Sequence, residues 1–289
     1  MKKSFAYPYG VWLAVFILAP ILMVVVYAFL NADGGFTLHN FSYLPGFLPI
    51  FGRSFWLAFL STAVCLVLGY PMAYLMSRLS ASRQSLCMML IMLPMWINFL
   101  LRTYAWMSIL ENNGLLNQLF QQIGLIDLYN QIAMHFASDP AAYVPIDHFQ
   151  MIGTQGAVVL GMVYNYLPFM ILPIYSVIIK MDNSLLEAAQ DLGASTTKTL
   201  VRVLIPMSVP GISTGITMVF VPAVSTFVIS RMLGGGSNLL IGDLIEMQFL
   251  GNSYNLNVGS AMSLVLMIIV LLCMSFTSSF DEDEMEGVS

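Results

Sequence analysis

Residues 183–211, NSLLEAAQDLGASTTKTLVRVLIPMSVPG, form a polar stretch in a chain that is otherwise rich in apolar residues. Ser184, with Glu187 three residues later, has the form of a capping box, in which each side chain satisfies a backbone N–H group of a first helical turn. Gly193 lies where a helix ends in a residue that can adopt positive φ. The first part of the stretch therefore predicts a short helix that ends at this glycine.

A second short helix is expected after the glycine. Ser195 or Thr196 can cap its first turn, and Pro206 and Pro210 end it because proline lacks a backbone N–H group. The whole stretch thus predicts a hairpin of two short helices that face water. Such a hairpin is suited to docking into a groove on a partner protein.

Composition places the chain in the membrane. Of 289 residues, 58% are hydrophobic and only 9% are charged, so the apolar surface is too large for a soluble core and indicates an integral membrane protein. The net charge of −5 provides no basic surface for nucleic acid. Cys65, Cys87 and Cys273 lie in apolar runs without metal-ligand spacing and are interpreted as small core residues, not as a disulfide framework.

Six stretches are long and apolar enough to cross a bilayer as helices, so the predicted fold is an all-α membrane protein. The first is too long for the hydrophobic core of a signal peptide and is interpreted as a retained span. The predicted spans are 11–30, 54–78, 86–110, 156–179, 211–230 and 258–280.

The positions of lysine and arginine predict the orientation, because basic residues concentrate on the cytoplasmic side. Seven of the ten basic residues fall on one side if the chain zigzags, and the loop 111–155 contains none. Both termini and the hairpin are therefore expected in the cytoplasm, and the loops 111–155 and 231–257 outside. The seven residues are Lys2, Lys3, Arg78, Arg83, Lys180, Lys198 and Arg202.

The polar stretch resembles the EAA loop of ABC-importer permeases, the cytoplasmic segment that docks into the ATPase subunit. This resemblance implies the type I (MetI-like) transmembrane fold, with a coupling loop over 180–210. The residues that correspond to the coupling motif are Glu187, Ala188, Ala189, Asp191, Gly193, Ala194 and Pro206.

Other segments resemble one branch of that family, the permeases of spermidine/putrescine importers. The resemblance spans nearly the whole chain and implies three parts: 1–53 with the first span, 54–280 as the type I domain, and 281–289 as an acidic cytoplasmic tail. The loop 133–154 looks longer than is usual in the family. The segments are LVLGYP at 66–71, RTY at 102–104, NGLLN at 113–117, LPF at 167–169 and NLLIG at 238–242.

The function implied is that of a permease subunit in a polyamine importer of the plasma membrane, working by alternating access. The implied partners are a second homologous permease, a cytoplasmic ATPase dimer that binds ATP and Mg²⁺, and an extracytoplasmic polyamine-binding protein. The chain itself is expected to bind no cofactor and to catalyse no reaction. Its run from Gly193 to Lys198 has Thr197 where a phosphate-binding loop requires glycine.

Ionisable and aromatic residues near the membrane are candidates for the solute pathway, because carboxylates and aromatic faces hold an elongated polycation. The alternative is an interfacial aromatic belt with Arg102 as a structural partner of Glu111 or of a backbone carbonyl. The candidates are Trp96, Arg102, Tyr104, Trp106, Glu111, Tyr164, Asp243 and Glu246.

Several alternatives remain open. Permeases for iron, sulfate, amino acids or other small solutes share the EAA loop, and an ion-coupled secondary transporter or a channel would leave that loop unexplained. A metal site in the long loop is disfavoured because metal-ligand spacing is lacking. The loop residues concerned are His135, Asp139, Asp147 and His148.

Overall fold

A computed structural model describes residues 6–31, 33–136, 143–251 and 254–286. The regular secondary structure among these residues is helical, with no strand beyond an isolated bridge between Leu30 and Phe36. The expected all-α fold is confirmed. Besides a 3-10 turn (His39–Tyr43) and two π-helical turns (Ala14–Leu18 and Leu200–Leu204), the α-helices are α1 (Ala6–Leu13), α2 (Ala19–Ala28), α3 (Leu44–Ser77), α4 (Ala81–Trp96), α5 (Phe99–Leu110), α6 (Leu115–Gln122), α7 (Leu125–Phe136), α8 (Gln155–Ile178), α9 (Asn183–Asp191), α10 (Thr196–Thr199), α11 (Ile205–Met207), α12 (Val209–Ser225), α13 (Val228–Leu233), α14 (Ile241–Leu250) and α15 (Leu256–Glu286).

Four continuous helical stretches among the described residues are long and apolar enough to cross a membrane: Pro8–Ala28, His39–Ser77, Gln155–Ile178 and Leu256–Ser275. They correspond to the first, second, fourth and sixth predicted spans. The count reaches six when each of two bent helix pairs is taken as one span. The α-helix of the second span, α3, begins earlier than predicted, at Leu44, because a proline in the first helical turn, here Pro45, is tolerated.

The third predicted span is not one straight helix. Ala81–Trp96 and Phe99–Gln122 meet at 90°. Ile97 has extended backbone angles, and the Asn98 side chain accepts a hydrogen bond from the Leu100 N–H at 2.8 Å and so starts a new helix. A continuous apolar run conceals this break, because a single capping asparagine hardly changes the hydropathy.

The fifth span is also bent, just before the predicted range 211–230. Thr197–Met207 and Val209–Ser225 meet at 67°. The helix α12 ends at Ser225, and the short α13 follows as a separate helix after the extended Thr226. The prediction of a single helix over 211–230 is wrong at its end, because Pro222 removes a backbone donor in the last turns of α12.

The chain divides into two compact units. One comprises Met1–Ser54 with Leu240–Ser289, and the other comprises Phe55–Leu239. In the first unit, α2 packs against α15 around the buried residues Ala28, Ala261 and Leu264.

In the second unit, α8 contacts α4, α5, α12 and α13. Met162, Met170 and Ile174 of α8 are fully buried. At Gly161, a Cβ atom would lie 2.5 Å from Leu233 Cδ1, so only glycine allows α13 to approach this closely. The helix α8 therefore forms the centre of this unit and positions the helices that carry the candidate site.

Candidate functional site

The hairpin, defined here as residues 183–207, begins with a cap that differs from the predicted one. Ser184 lies inside α9, and its backbone N–H donates to Asp182 Oδ1 at 2.9 Å. This backbone hydrogen bond, joined by one from the Ser184 side chain, lowers the pKa of Asp182. The predicted capping box of Ser184 and Glu187 is therefore wrong, because the acceptor lies two residues earlier and leaves Glu187 exposed.

The turn of the hairpin has the predicted geometry. Gly193 has a φ of +82°. The N–H groups of Leu192 and Ala194 donate to the carbonyls of Ala188 and Ala189 at 3.1 and 3.0 Å, so the turn satisfies carbonyls that the end of α9 leaves free. The prediction that Gly193 ends the helix with positive φ is confirmed.

The second half of the hairpin begins and ends where predicted. Ser195 Oγ accepts a hydrogen bond from the Lys198 N–H at 3.4 Å and thus acts as the cap. The helix then runs through α10, a π-helical turn and α11, and ends at Met207, beyond Pro206. This end lies between Pro206 and Pro210, as predicted, and Pro206 itself stands in the first turn of the short α11, where it loses only one helical hydrogen bond.

The hairpin exposes apolar side chains next to carboxylates. Leu192, at its tip, is 90% exposed, and Leu185 and Val201 are about half exposed. Glu187 and Asp191 are exposed on the same short helix, α9. Exposed apolar side chains rimmed by charge are typical of a docking surface. We call these five residues the docking face.

Two of the candidate pathway aromatics lie in contact. The rings of Trp106 on α5 and Tyr164 on α8 are 5.3 Å apart in an edge-to-face arrangement. Trp96 and Tyr104, in contrast, are largely exposed, Trp96 by 76%. The four aromatic candidates therefore do not form one enclosed cluster.

Arg102 lies one helical turn before Trp106. Its Nε and Nη1 atoms are buried and find no hydrogen-bond acceptor within the described part of the chain. Its guanidinium carbon lies 6.0 Å from the ring centroid of Phe99. The pairing of Arg102 with Glu111, one form of the alternative interpretation, is not among the described contacts, because the guanidinium group packs back along its own helix.

Glu111 lines a cavity of about 400 Å³. Its other lining residues are Met107, Asn112, Asn113 and Ile152. The buried Asn117 holds this region together, since its Nδ2 donates to the carbonyls of Glu111 and Phe149 at 3.1 and 3.0 Å. The Phe149 N–H in turn donates to Asn117 Oδ1 at 2.9 Å. We refer to this space as the Glu111 cavity.

Asp243 is part of a helix end. It is fully buried, and its Oδ2 accepts a hydrogen bond from the Leu240 N–H at 2.8 Å at the start of α14. The Ile241 N–H donates to Ser54 Oγ, also at 2.8 Å. The sequence predicts Asp243, with Glu246, near an open solute pathway, but in this conformation the Asp243 side chain is enclosed and caps α14.

The acidic and histidine side chains of the long loop form no metal site in the part that the structure describes. Among the described residues, no three His, Cys, Asp or Glu side chains lie close enough together to hold a metal ion. His148 contacts its neighbour Asp147, and Asp139 lies outside the described residues. The arrangement in the described loop is that of a local pair of side chains.

One buried contact between two hydroxyl groups could hardly be predicted from the sequence. The hydroxyl groups of Tyr70 on α3 and Ser208, between α11 and α12, are 3.0 Å apart. Ser208 stands between Pro206 and Pro210, and this flanking by two prolines is the only signal that the sequence offers. The partner, 138 positions earlier in the chain, has no local signature.

Comparison with known proteins decides the family. Residues 65–281 match the sequence pattern of the family described as "Binding-protein-dependent transport system inner membrane component". The chain belongs to this family. The predicted resemblance is thereby confirmed, and the protein is a multi-pass membrane component of a transport system.

The chain is similar to several known proteins and solved structures along most of its length. The chain is 38% identical to the spermidine/putrescine transport system permease protein PotB of Escherichia coli over 90% of both proteins. It is 36% identical to PotB of Haemophilus influenzae over 90% of this chain and 87% of that protein. A chain of a bacterial ABC transporter involved in import of the acidic polysaccharide alginate superimposes with a TM-score of 0.78 at 15% identity, covering 98% of this chain and 95% of that one. This last similarity establishes the type I importer fold of the transmembrane component.

Proposed function

We propose that this chain is one of two permease subunits of an ATP-driven importer for polyamines such as spermidine and putrescine. The observation that carries the proposal is the hairpin, whose tip exposes Leu192 almost completely beside the acidic Glu187 and Asp191. A membrane transport component that has such a surface, and lacks a phosphate-binding loop in its own sequence, is well suited to take energy from another polypeptide.

The proposed partners follow from this surface and from the family. A cytoplasmic ATPase dimer, carrying ATP and Mg²⁺, docks on the hairpin, and a second permease completes the pathway. An extracytoplasmic binding protein delivers the solute, as the family description of binding-protein-dependent transport suggests. ATP-driven closure of the ATPases moves the hairpins and exposes the pathway to the outside.

The orientation of the chain gives the first prediction. In a variant that lacks Cys65, Cys87 and Cys273, a cysteine at Ser195 is expected to react with a membrane-impermeant maleimide only after permeabilisation. A cysteine at Asn113, in the Glu111 cavity, is expected to react in intact cells. The expectation rests on the basic residues at the cytoplasmic ends of the spans. A second outer position, Ser138, lies outside the described residues. Labelling in the reverse order would place the hairpin on the wrong side for an ATPase.

The polyamine assignment has two supports. The first is the similarity to relatives named as spermidine/putrescine permeases. The second is the Glu111 cavity, which offers a carboxylate and the side-chain amides of Asn112 and Asn113 to an ammonium group. A permease that receives its solute from a binding protein needs only weak contacts that release it again.

The second prediction concerns Glu111. Replacement Glu111→Gln keeps the shape of the side chain and removes its charge, so uptake of spermidine is expected to slow by about threefold, the size of an exposed charge pair. Asp127→Asn removes an exposed carboxylate of α7 that does not line the cavity and is the matched control. Uptake is measured in proteoliposomes that contain the complete complex, at limiting loaded binding protein.

The same proteoliposomes test the class of solute and the role of the Glu111 cavity separately. ATP hydrolysis by the wild-type complex is expected to rise with binding protein loaded with spermidine or putrescine. Stimulation by an anion or a neutral sugar instead would reject the polyamine assignment and leave the importer assignment intact. Equal uptake by Glu111→Gln and wild type would remove only the cavity from the solute pathway.

A further inference from the structure

The junction between the hairpin and α12 is bent and weakly restrained by its own backbone. Thr197–Met207 and Val209–Ser225 meet at 67°, with the fully buried Ser208 between them. Pro206 and Pro210 flank this residue, and neither has an N–H group to donate within the helix. The Ser208 N–H donates to the carbonyls of Leu204 and Ile205, both at 3.0 Å. Because the flanking prolines remove helical hydrogen bonds, the bend angle depends on contacts from elsewhere.

Such a contact comes from α3. Ser208 Oγ donates to the Ile205 carbonyl at 2.9 Å, which uses the single proton of its hydroxyl group. The Tyr70 hydroxyl, 3.0 Å from Ser208 Oγ, is therefore the donor in the bond between them. Both side chains are buried, so neither hydroxyl is offered a replacement partner by bulk water if the bond opens.

The helices on the other side of the bend pack closely at three glycines. A Cβ atom at Gly211 on α12 would lie 2.9 Å from the Pro173 carbonyl of α8. Cβ atoms at Gly69 on α3 and Gly215 on α12 would lie 3.0 and 2.8 Å from Met170 Cγ and Sδ. Thus α3, α8 and α12 meet around Met170, one to two turns from the bend. A displacement of the hairpin either changes the bend angle or moves these three helices together.

We propose that Tyr70 and Ser208 are a positioning pair that holds the bend, so that motion of the hairpin passes into α3, α8 and α12. This inference rests on the proposed docking of an ATPase on the hairpin. When the hydrogen bond is present, a push on the docking face moves the membrane helices. When the bond is absent, the bend absorbs part of that push, and ATP is hydrolysed without solute movement.

The test compares transport with hydrolysis in the reconstituted wild-type and variant complexes. Tyr70→Phe and Ser208→Ala are each expected to reduce the solute transported per ATP hydrolysed by about fivefold, within the range expected for loss of one buried hydrogen bond. Ser208→Thr keeps the hydroxyl group and is expected to retain a ratio near that of wild type. The double variant is expected to be no worse than either single one, because both remove the same interaction.

Matched controls separate this role from general packing. Tyr175→Phe removes another hydrogen bond between helices, a partly buried one from the Tyr175 hydroxyl to Gln84 Oε1 at 3.1 Å. Ser61→Ala removes a buried serine hydroxyl of α3 that bonds the Leu57 carbonyl at 2.7 Å. Neither hydrogen bond involves the bend, so both variants are expected to keep the wild-type ratio of transport to hydrolysis.

A distance measurement across the bend complements the ratio of solute transported to ATP hydrolysed. Spin labels at the exposed positions Lys198 and Met218, which lie on either side of the bend and outside the docking face, are expected to give a narrow distance distribution in the wild-type complex. The distribution should broaden in Tyr70→Phe and Ser208→Ala and remain narrow in Tyr175→Phe. If one variant fails to assemble, the other decides the question by the same distance.

The outcomes distinguish this inference from the proposed function. A wild-type complex in which the chain neither assembles with an ATPase nor couples hydrolysis to uptake rejects the proposed function itself. A coupled wild type with unchanged ratios and distances in Tyr70→Phe and Ser208→Ala overturns the positioning pair alone. An equal loss of coupling in Tyr175→Phe overturns it as well, since any hydrogen bond between helices would then have the same effect.

Discussion

Gly193→Val is expected to abolish uptake while the chain still inserts into the membrane. The residue has a φ of +82°, a region that costs a β-branched side chain on the order of 1 kcal/mol or more. A Cβ atom at this position would have no neighbouring atom within 4 Å, so the effect arises from the backbone alone. The turn must change its conformation, and the residues of the docking face on either side of it then point in different directions. Uptake and co-purification with the ATPase measure the result.

The control for this variant is another glycine of the same kind. Gly124, between α6 and α7, has a φ of +71° and an equally open environment. Gly124→Val carries the same local strain away from the hairpin and is expected to retain ATPase association. Glu187→Lys tests the same docking face through charge, because it reverses an exposed carboxylate in the middle of α9. Normal uptake by both Gly193→Val and Glu187→Lys would reject the docking role of the hairpin.

Gly211→Val is expected to prevent normal packing of α12 on α8. A Cβ atom there would lie 2.9 Å from the Pro173 carbonyl oxygen and 3.1 Å from Ile174 Cα. Both are backbone atoms of a helix and cannot rotate away, so the helices must separate. The expected loss of stability is about 3 kcal/mol, at the upper end of typical overpacking. The midpoint temperature of thermal unfolding of the purified complex measures it.

The control for Gly211→Val is the same substitution at another glycine, Gly52→Val. Gly52 lies within α3, and no atom would lie within 4 Å of its Cβ. Gly52→Val introduces the same β-branched side chain into a helix without a backbone clash and is expected to leave the unfolding temperature close to that of wild type. Similar unfolding temperatures for Gly52→Val and Gly211→Val would mean that α12 and α8 do not rely on their close backbone contact.

Features that depend on local chemistry or on the solvent can be predicted from the amino-acid sequence. A bilayer requires about 20 apolar residues for each crossing, so the lengths and positions of the apolar stretches are enough to locate the four continuous spans. The positive φ of Gly193 follows from a glycine at the end of a short amphipathic helix. The family also follows from the sequence, because its pattern extends over residues 65–281.

Features in which distant or competing groups meet emerge only when the chain is folded. Asp182 rather than Ser184 caps α9, because either side chain can serve and local geometry selects between them. Asp243 belongs to a buried helix end beside Ser54, which hydropathy does not distinguish from an exposed carboxylate. The bond between Tyr70 and Ser208 joins residues 138 positions apart. No local pattern specifies such a pair, because it is the packing of α3, α8 and α12 that brings the two hydroxyl groups together.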